Sequence, residues 1–434
     1  MTRRCLGDWL AYLEQLHPTA IDMGLDRVRE VAGRLGLRRP AQRVVTVTGT
    51  NGKGSTCAFI AALLRARGQT VGVYSSPHLL RYNERVEING EYATDDALCA
   101  AFAAVEAARG DVSLTYFEMG TLAAFWLFQQ AGLDAAVLEV GLGGRLDAVN
   151  LIDADVAVVT NIGLDHSDWL GDSRDSVAFE KAGIFRIGKP AVCGDLAPPP
   201  TLLERASSLP APLYRRGRDY DLMQGAQGWS WRGVNAAGEP LELHDLPLLS
   251  LPMENAALAL QAFALLDQSW RAEGIAEALR ATRVTGRLDL RTLRRNGFDV
   301  PLLLDVGHNP HAASFLAASL ALRPPAGRRL AVFGLLADKD MDGILDALLP
   351  HVDDWAVAPL ATSRSMPAGT LQAALLKRGA SVSMHADVAQ ALESQLGRAG
   401  EGDEILLFGS FYCVAEALEW LNGYTGENEH GDAG

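Results

Sequence analysis

Lysine is scarce in this 434-residue chain: there are five, at positions 53, 181, 189, 339 and 377, within a Lys plus Arg total of 39. Positive surface charge is therefore carried by arginine, and lysine is left for places that need a compact ammonium or an amine able to lose its proton. Positive charge as a whole is also short. Asp and Glu number 53, leaving a formal charge of −14, which argues against nucleic acid or an anionic membrane as the main partner. A small anionic substrate would then need basic groups gathered locally. Cysteine is sparse and odd in number, at 5, 57, 99, 193 and 413, with none of the paired spacing of metal sites. Such residues read as buried free thiols of a reducing compartment. Near the N-terminus Asp8 and Glu14 take the place of an apolar signal region. The most apolar stretch, Leu122 to Phe128, is far too short to span a bilayer. A cytoplasmic protein is expected.

What is present is globular: 48% hydrophobic and 21% charged residues over a length that implies at least two domains. The chain is organised around one stretch. The β-branched run Val44–Thr48 enters Gly49-Thr50-Asn51-Gly52-Lys53-Gly54-Ser55-Thr56, and an Ala- and Leu-rich helical pattern follows at once. Strand, glycine turn and helix in that order aim unpaired amides and the positive end of a helix dipole at one point, which attracts phosphate. Lys53 adds an ammonium that can reach terminal phosphates, and Ser55 or Thr56 offers a hydroxyl to Mg²⁺. The loop reads as an ATP site, although the pattern G-x-x-x-x-G-K-[ST] asks for Gly where Val47 stands and for Ser or Thr where Gly54 stands.

Around it the pattern is α/β. Helices are expected near 8–16, 24–37, 95–109 and 119–131, with Ser113–Glu118 as the connection before the last of these. Strands at 70–74, 135–140 and 155–160 each end in polar residues: Ser75-Ser76-Pro77-His78, Glu139 and Asn161–His166. Strand ends of this kind line the ligand crevice of an open parallel sheet. Glu139 and Ser76 suit Mg²⁺ as oxygen ligands, and His166 is a feasible third. The competing reading of Glu139 is an ion pair with Arg145, and that of Lys181 is a surface pair with Glu180. Residues 1–286 are expected to form a P-loop domain on a mostly parallel sheet, with an antiparallel insertion on its edge at about 197–250. A linker or hairpin at 287–298 leads to a smaller Rossmann-like α/β domain over 299–434, whose strand near 302–305 ends at Asp305-Val306-Gly307-His308-Asn309-Pro310. The polar tail after Asn422 is expected to fray.

The segments 49–55 (GTNGKGS), 74–79 (YSSPHL), 138–148 (LEVGLGGRLDA), 180–186 (EKAGIFR), 305–311 (DVGHNPH) and 408–411 (FGSF) resemble the folylpolyglutamate synthases of the Mur ligase superfamily. Segments 21–27 (IDMGLDR) and 114–118 (LTYFE) are similar to the bifunctional bacterial form, which is also a dihydrofolate synthase. The resemblance implies ATP-driven phosphorylation of a carboxylate and attack of glutamate on the acyl phosphate. Its partners are then small molecules (ATP, L-glutamate, dihydropteroate and folates), with no nucleic acid, no membrane, and a monomer. It assigns ATP to Gly49, Thr50, Asn51, Gly52, Lys53, Gly54, Ser55, Asn255, Arg287, Asp305 and His308. Two Mg²⁺ ions fall to Ser76, Glu139 and His166, and Lys181 matches a lysine carbamylated (N6-carboxylated) in relatives. Lys53, His166 and Lys181 then carry the catalysis. The acceptor's aromatic half falls to Asp22, Met23, Gly24 and Leu25, to Thr115, Tyr116, Phe117 and Glu118, and to Leu146, Asp147 and Ala148; Phe117 alone would read as core. The alternatives are a monofunctional folylpolyglutamate synthase or another Mur-type ligase, and, of another class, a P-loop switch or small-molecule kinase with a standard phosphate loop.

Overall fold

A computed structural model describes residues 4–225, 227–266, 270–295 and 297–424. The chain divides into two compact units, Met1–Thr282 and Arg283–Gly434.

The first unit is built on eight strands: β1 (Ala41–Thr48), β2 (Val71–Tyr74), β3 (Val86–Ile88), β4 (Glu91–Tyr92), β5 (Leu133–Glu139), β6 (Val156–Val159), β7 (Ala191–Cys193) and β8 (Leu213–Arg215). Their order across the sheet is β4-β3-β2-β5-β1-β6-β7-β8. From β2 to β8 every pairing is parallel, and β3 and β4 add an antiparallel edge. The central strands are almost unbroken runs of Val, Ala and Leu because helices cover both faces. Those helices are α1 (Leu6–Leu13), α2 (Asp26–Leu35), α3 (Lys53–Ala66), α4 (Asp95–Arg109), α5 (Tyr116–Ala131), α6 (Ser167–Leu170), α7 (Arg174–Lys181), α8 (Pro200–Ser208), α9 (Met253–Leu266) and α10 (Ile275–Ala281). β1 lies between β5 and β6, so the chain crosses over it between those two strands. The ends of β2, β5, β1 and β6 consequently bring their following loops side by side.

Three expectations are corrected here. Residues 115–118 are not a connection: Thr115 is the N-cap of α5 and Tyr116–Glu118 its first turn. The reason is local, because Thr115 and Glu118 form a reciprocal capping box that starts the helix three residues early. The 197–250 region is not one edge insertion. α8 and β8 extend the main sheet, and only β9 (Asp221–Gln224), β10 (Trp229–Val234) and β11 (Pro240–Leu246) form a separate antiparallel sheet. That sheet is fastened to α9, where Trp231 Nε1 donates to the Ala257 carbonyl and Gln261 bonds both N–H and C=O of Val234. Cys5 is exposed as the N-cap of α1; the other four cysteines are buried.

The second unit has a six-stranded sheet of β12 (Asp289–Arg295), β13 (Phe298–Asp305), β14 (Arg329–Phe333), β15 (Asp354–Val357), β16 (Val382–Met384) and β17 (Glu404–Phe408). Its order is β12-β13-β17-β14-β15-β16, parallel except for β12. Helices α11 (Pro310–Leu322), α12 (Met341–Leu348), α13 (Ala368–Lys377), α14 (Val388–Arg398) and α15 (Phe411–Gly423) complete it. Residues 287–298, read as linker or hairpin, supply β12 and its pairing with β13, so they belong to the sheet of this unit. Most of the tail after Asn422, from residue 425 on, lies outside the described residues. Among the described residues no helix is long and apolar enough to cross a membrane.

Candidate active site

The glycine loop joins β1 to α3 and is held from the neighbouring strand end. Thr50 N and Asn51 N donate to the backbone oxygen and side-chain Oδ1 of Asn161, at 3.1 and 3.0 Å. Thr160 Oγ1 and Asn161 Nδ2 donate to the Asn51 carbonyl at 2.6 and 3.1 Å. Thr50 Oγ1 donates to the Gly163 carbonyl at 3.0 Å. The loop is thus shaped by residues about 110 positions away, at the end of β6. Two of its glycines are dictated by this geometry. Gly49 has φ +149° and its α-carbon lies against Thr160; Gly52 caps α3 at φ +84° with the Asn255 amide pressed on it. A side chain at either would need both a strained backbone and displaced neighbours.

Asn255, in the first turn of α9, donates from Nδ2 to Ser55 Oγ at 3.2 Å. Thr56 is fully enclosed and its hydroxyl finds no partner, so Ser55 is the hydroxyl at the loop. Lys53 Nζ donates to the loop carbonyls of Gly49 and Thr50 at 3.1 and 3.2 Å, folding back over the loop it is to serve. The departure at Gly54 has a local correlate: the missing side chain would stand 3.7 Å from Glu139 Oε2.

Glu139 ends β5, buried to 5% exposure, and accepts from Ser76 N at 3.3 Å. Its rival reading fails, since Arg145 is committed elsewhere: Nε and Nη2 donate to Glu180 Oε1 at 3.1 and 2.8 Å. That pair also removes the surface-pair reading of Lys181, which is itself buried to 3% exposure at the end of α7. Burial holds the Lys181 amine down to about 7; the Lys53 ammonium pushes the same way and Asp165 opposes. His166 follows β6 as the N-cap of α6, half-exposed, with Nε2 3.9 Å from Asp165 Oδ2. The structure therefore joins Ser76 directly to Glu139 and sets His166 beside Asp165.

The acceptor-side residues fall on three neighbouring pieces. Thr115 and Glu118 are buried and bonded to each other, while Tyr116 and Phe117 are half-buried, Phe117 6.0 Å from the Tyr74 ring. Asp147 is buried between Leu146 and Ala148 and accepts from Leu142 N and Val149 N at 2.8 and 2.9 Å. Burial pushes its carboxyl up to about 6, against the pull of those N–H groups and of Lys53. Asp22–Leu25 precede α2, and Asp22 is tied to Arg27.

In the second unit the motifs at 305–311 and 408–411 meet, because β13 and β17 are adjacent. Asp305 accepts from Leu288 N and Gly307 N at 3.0 and 2.7 Å; burial raises its carboxyl and the nearby Arg287 opposes. The Arg287 guanidinium lies 5.4 Å from the centre of the Phe411 ring, and the His308 ring is 6.2 Å from it. Asn309 and Ser410 cap α11 and α15.

Residues 47–193 match the family model described as Mur ligase middle domain, and residues 286–411 the one described as Mur ligase, glutamate ligase domain. The chain is 45% identical over 417 residues, 96% of each sequence, to the dihydrofolate synthase/folylpolyglutamate synthase of Escherichia coli (strain K12). The chain belongs to the dihydrofolate synthase/folylpolyglutamate synthase family. Solved structures agree with this placement. The E. coli FolC complex with DHPP and ADP matches with a TM-score of 0.91 at 45% identity, covering 97% of this chain and 98% of that one. The bifunctional folylpolyglutamate synthase/dihydrofolate synthase from Yersinia pestis complexed with AMPPNP and Mn ion matches at 0.89 and 45%, covering 96% and 98%. The strand end 161–166 was read as part of the crevice, but no role was assigned to Thr160 and Asn161, which brace the glycine loop, or to Asp165, whose charge opposes the lowering of the Lys181 amine. Arg27 was passed over too, as one of several polar residues on an amphipathic helix.

Proposed function

We propose that this chain joins L-glutamate to dihydropteroate and to the glutamate tail of tetrahydrofolates, at the expense of ATP and through an acyl phosphate. The observation that carries the reading is the gathering of a braced phosphate loop, Glu139 and a buried Lys181 around the ends of β1, β5 and β6. A kinase or switch has no use for such a lysine, whereas a neutral amine is what CO₂ needs to form a carbamate. N6-carboxylation of Lys181 would replace a cation by an anion at the end of α7.

ATP fits the loop: the Thr50 and Asn51 amides are spent on Asn161, but the start of α3 offers its first-turn amides and positive dipole end to a phosphate, and Lys53 stands over the loop. Transfer of a phosphoryl group to a carboxylate brings two anions together, so the site's work is charge neutralisation and alignment. Lys53 supplies mobile positive charge, and the first-turn amides of α3 supply fixed dipoles. Mg²⁺ also fits. Ser76 follows β2 and Glu139 ends the neighbouring β5, and the two are joined by the bond from Ser76 N to Glu139 Oε2. Among the described residues no group of three or more His, Cys, Asp or Glu is arranged to hold a metal. A cation here would complete its shell from water and phosphate oxygens, the habit of Mg²⁺. Bound between Ser76, Glu139 and the phosphates, with a second ion toward His166, it would disperse the charge that builds on the transferring group. Asp147, Thr115 and Phe117 provide the walls for the flat acceptor.

Glutamate-dependent phosphate release should be found with dihydropteroate and with a tetrahydrofolate alike. Activity on only one acceptor removes the bifunctional claim, and ATP cleavage indifferent to glutamate removes the ligase. Glu139→Ala should lower kcat ~10²-fold, the usual loss for a group that stabilises transition-state charge. A Mg²⁺ titration to tens of times the wild-type requirement should restore little of it; full restoration would place the ion elsewhere.

A further inference from the structure

Arg27, in the first turn of α2, makes three bonds with its guanidinium. Nη1 donates to Asp22 Oδ2 at 2.6 Å, and Nη2 donates to the Asp22 carbonyl and to Glu118 Oε1, both at 2.8 Å. Glu118 is buried to 3% exposure, and its other oxygen accepts from Thr115 N at 2.8 Å. On the far side, His17 Nε2 lies 3.3 Å from Asp22 Oδ2. One arginine therefore bridges the 22–25 loop to the cap of α5, two pieces separated by about 90 residues of chain.

The arrangement has two consequences for the acceptor site. Each Glu118 oxygen already accepts from the protein, Oε1 from Arg27 and Oε2 from Thr115 N, and the carboxylate is buried. Glu118 holds Arg27 and, with Thr115, closes the cap of α5, while Tyr116 and Phe117 are the half-buried members of that turn. The backbone of the 22–25 loop is fixed by the bond to the Asp22 carbonyl, because a planar fork sets direction as well as distance. Further along that loop, Met23 reaches the turn at Gly143, against which the loop is seated. The Arg27 Nε–H is buried without an acceptor.

Resting on the ligase reading above, we propose that Arg27 is a positioning residue for the flat heterocycle of the acceptor. Through Asp22 and Glu118 it sets the gap between the 22–25 loop and the start of α5, and so the affinity for dihydropteroate and folates but not for ATP or glutamate.

The test is steady-state kinetics of the full-length chain, with KM measured separately for dihydropteroate, ATP and glutamate. Arg27→Ala should raise KM for dihydropteroate about 10- to 100-fold, the scale of one or two lost charge-assisted bonds. KM for ATP and glutamate should stay within about twofold. Arg27→Lys, which keeps the charge but not the fork, should recover part of the loss. Should Arg27→Ala fail to fold, Glu118→Gln, which keeps the shape and weakens the bridge, should show the same selective shift. An unchanged acceptor KM, or equal shifts for all three substrates with a lowered melting temperature, overturns the proposal. Wild-type protein without glutamate-dependent ATP cleavage overturns the ligase reading itself, and this inference with it; active wild type with unselective variants overturns only the inference.

Discussion

Lys53→Ala is expected to lower kcat/KM for glutamate addition by ~10³-fold, on the scale seen when a group stabilising transferring-phosphoryl charge is removed. The side chain sits half-buried over the loop with two carbonyl acceptors, poised to exchange them for phosphate oxygens. Its removal takes away the mobile positive charge and leaves only the fixed amides. The effect should fall on turnover and on nucleotide affinity together. Melting should change little, because the loop is held by Asn161 and Thr160 rather than by the lysine. A second effect follows from electrostatics. Lys53 is one of the two influences that weaken the proton on Lys181, so its loss should shift the Lys181 amine back toward the ordinary lysine value. Retained turnover within tenfold of wild type would show that the loop does not deliver the phosphate.

Lys181→Ala should lose ~10²- to 10³-fold in kcat, the range for a lost electrostatic stabiliser, with part of it restored by millimolar formate or acetate occupying the vacated space. The chemistry sets the sign of a companion pH experiment. With its amine at about 7, Lys181 is neutral in about half of the molecules at pH 7 and in about a tenth at pH 6. Only the neutral amine attacks CO₂. At a fixed concentration of dissolved CO₂, protein stripped of CO₂ should therefore regain activity faster as pH rises through 7. Normal activity in Lys181→Ala, or no response to either carboxylates or bicarbonate, would rule the carbamate out.

Much of the site was legible because its parts follow strands. A β-branched run ending in polar or glycine residues announces a strand end, and parallel strand ends lie along one edge of the sheet; Gly49–Ser55, Ser76 and Glu139 could be gathered on that logic alone. What pairs with what was not legible. The sequence allows Arg145 to reach Glu139 or Glu180, and only the packing of the Gly141–Asp147 turn on α7 decides for Glu180. The 115–118 segment read as a connection because its polar ends outweighed its helical continuation. The Thr115–Glu118 capping box is a two-residue signal that competes with that reading and wins. The 197–250 region was assigned to one edge because prolines and isolated aromatics mark short strands without naming their partners. Arg27 closes the 21–27 segment, but nothing local says what its guanidinium bonds. Its bonds run to Asp22 nearby and to Glu118 across the fold, and only the tertiary structure supplies the second.

The cross-bracing of the phosphate loop by Thr160, Asn161 and Gly163 has a consequence for how nucleotide is sensed. A loop already fixed in shape gives up little conformational freedom when nucleotide arrives. To rearrange when the γ-phosphate leaves, it would have to break the bonds to Thr160, Asn161 and Gly163. ATP and ADP would then be told apart by phosphate contacts alone, with no conformational signal sent from the loop to the rest of the molecule. Such a loop is suited to turnover and unsuited to reporting which nucleotide is bound.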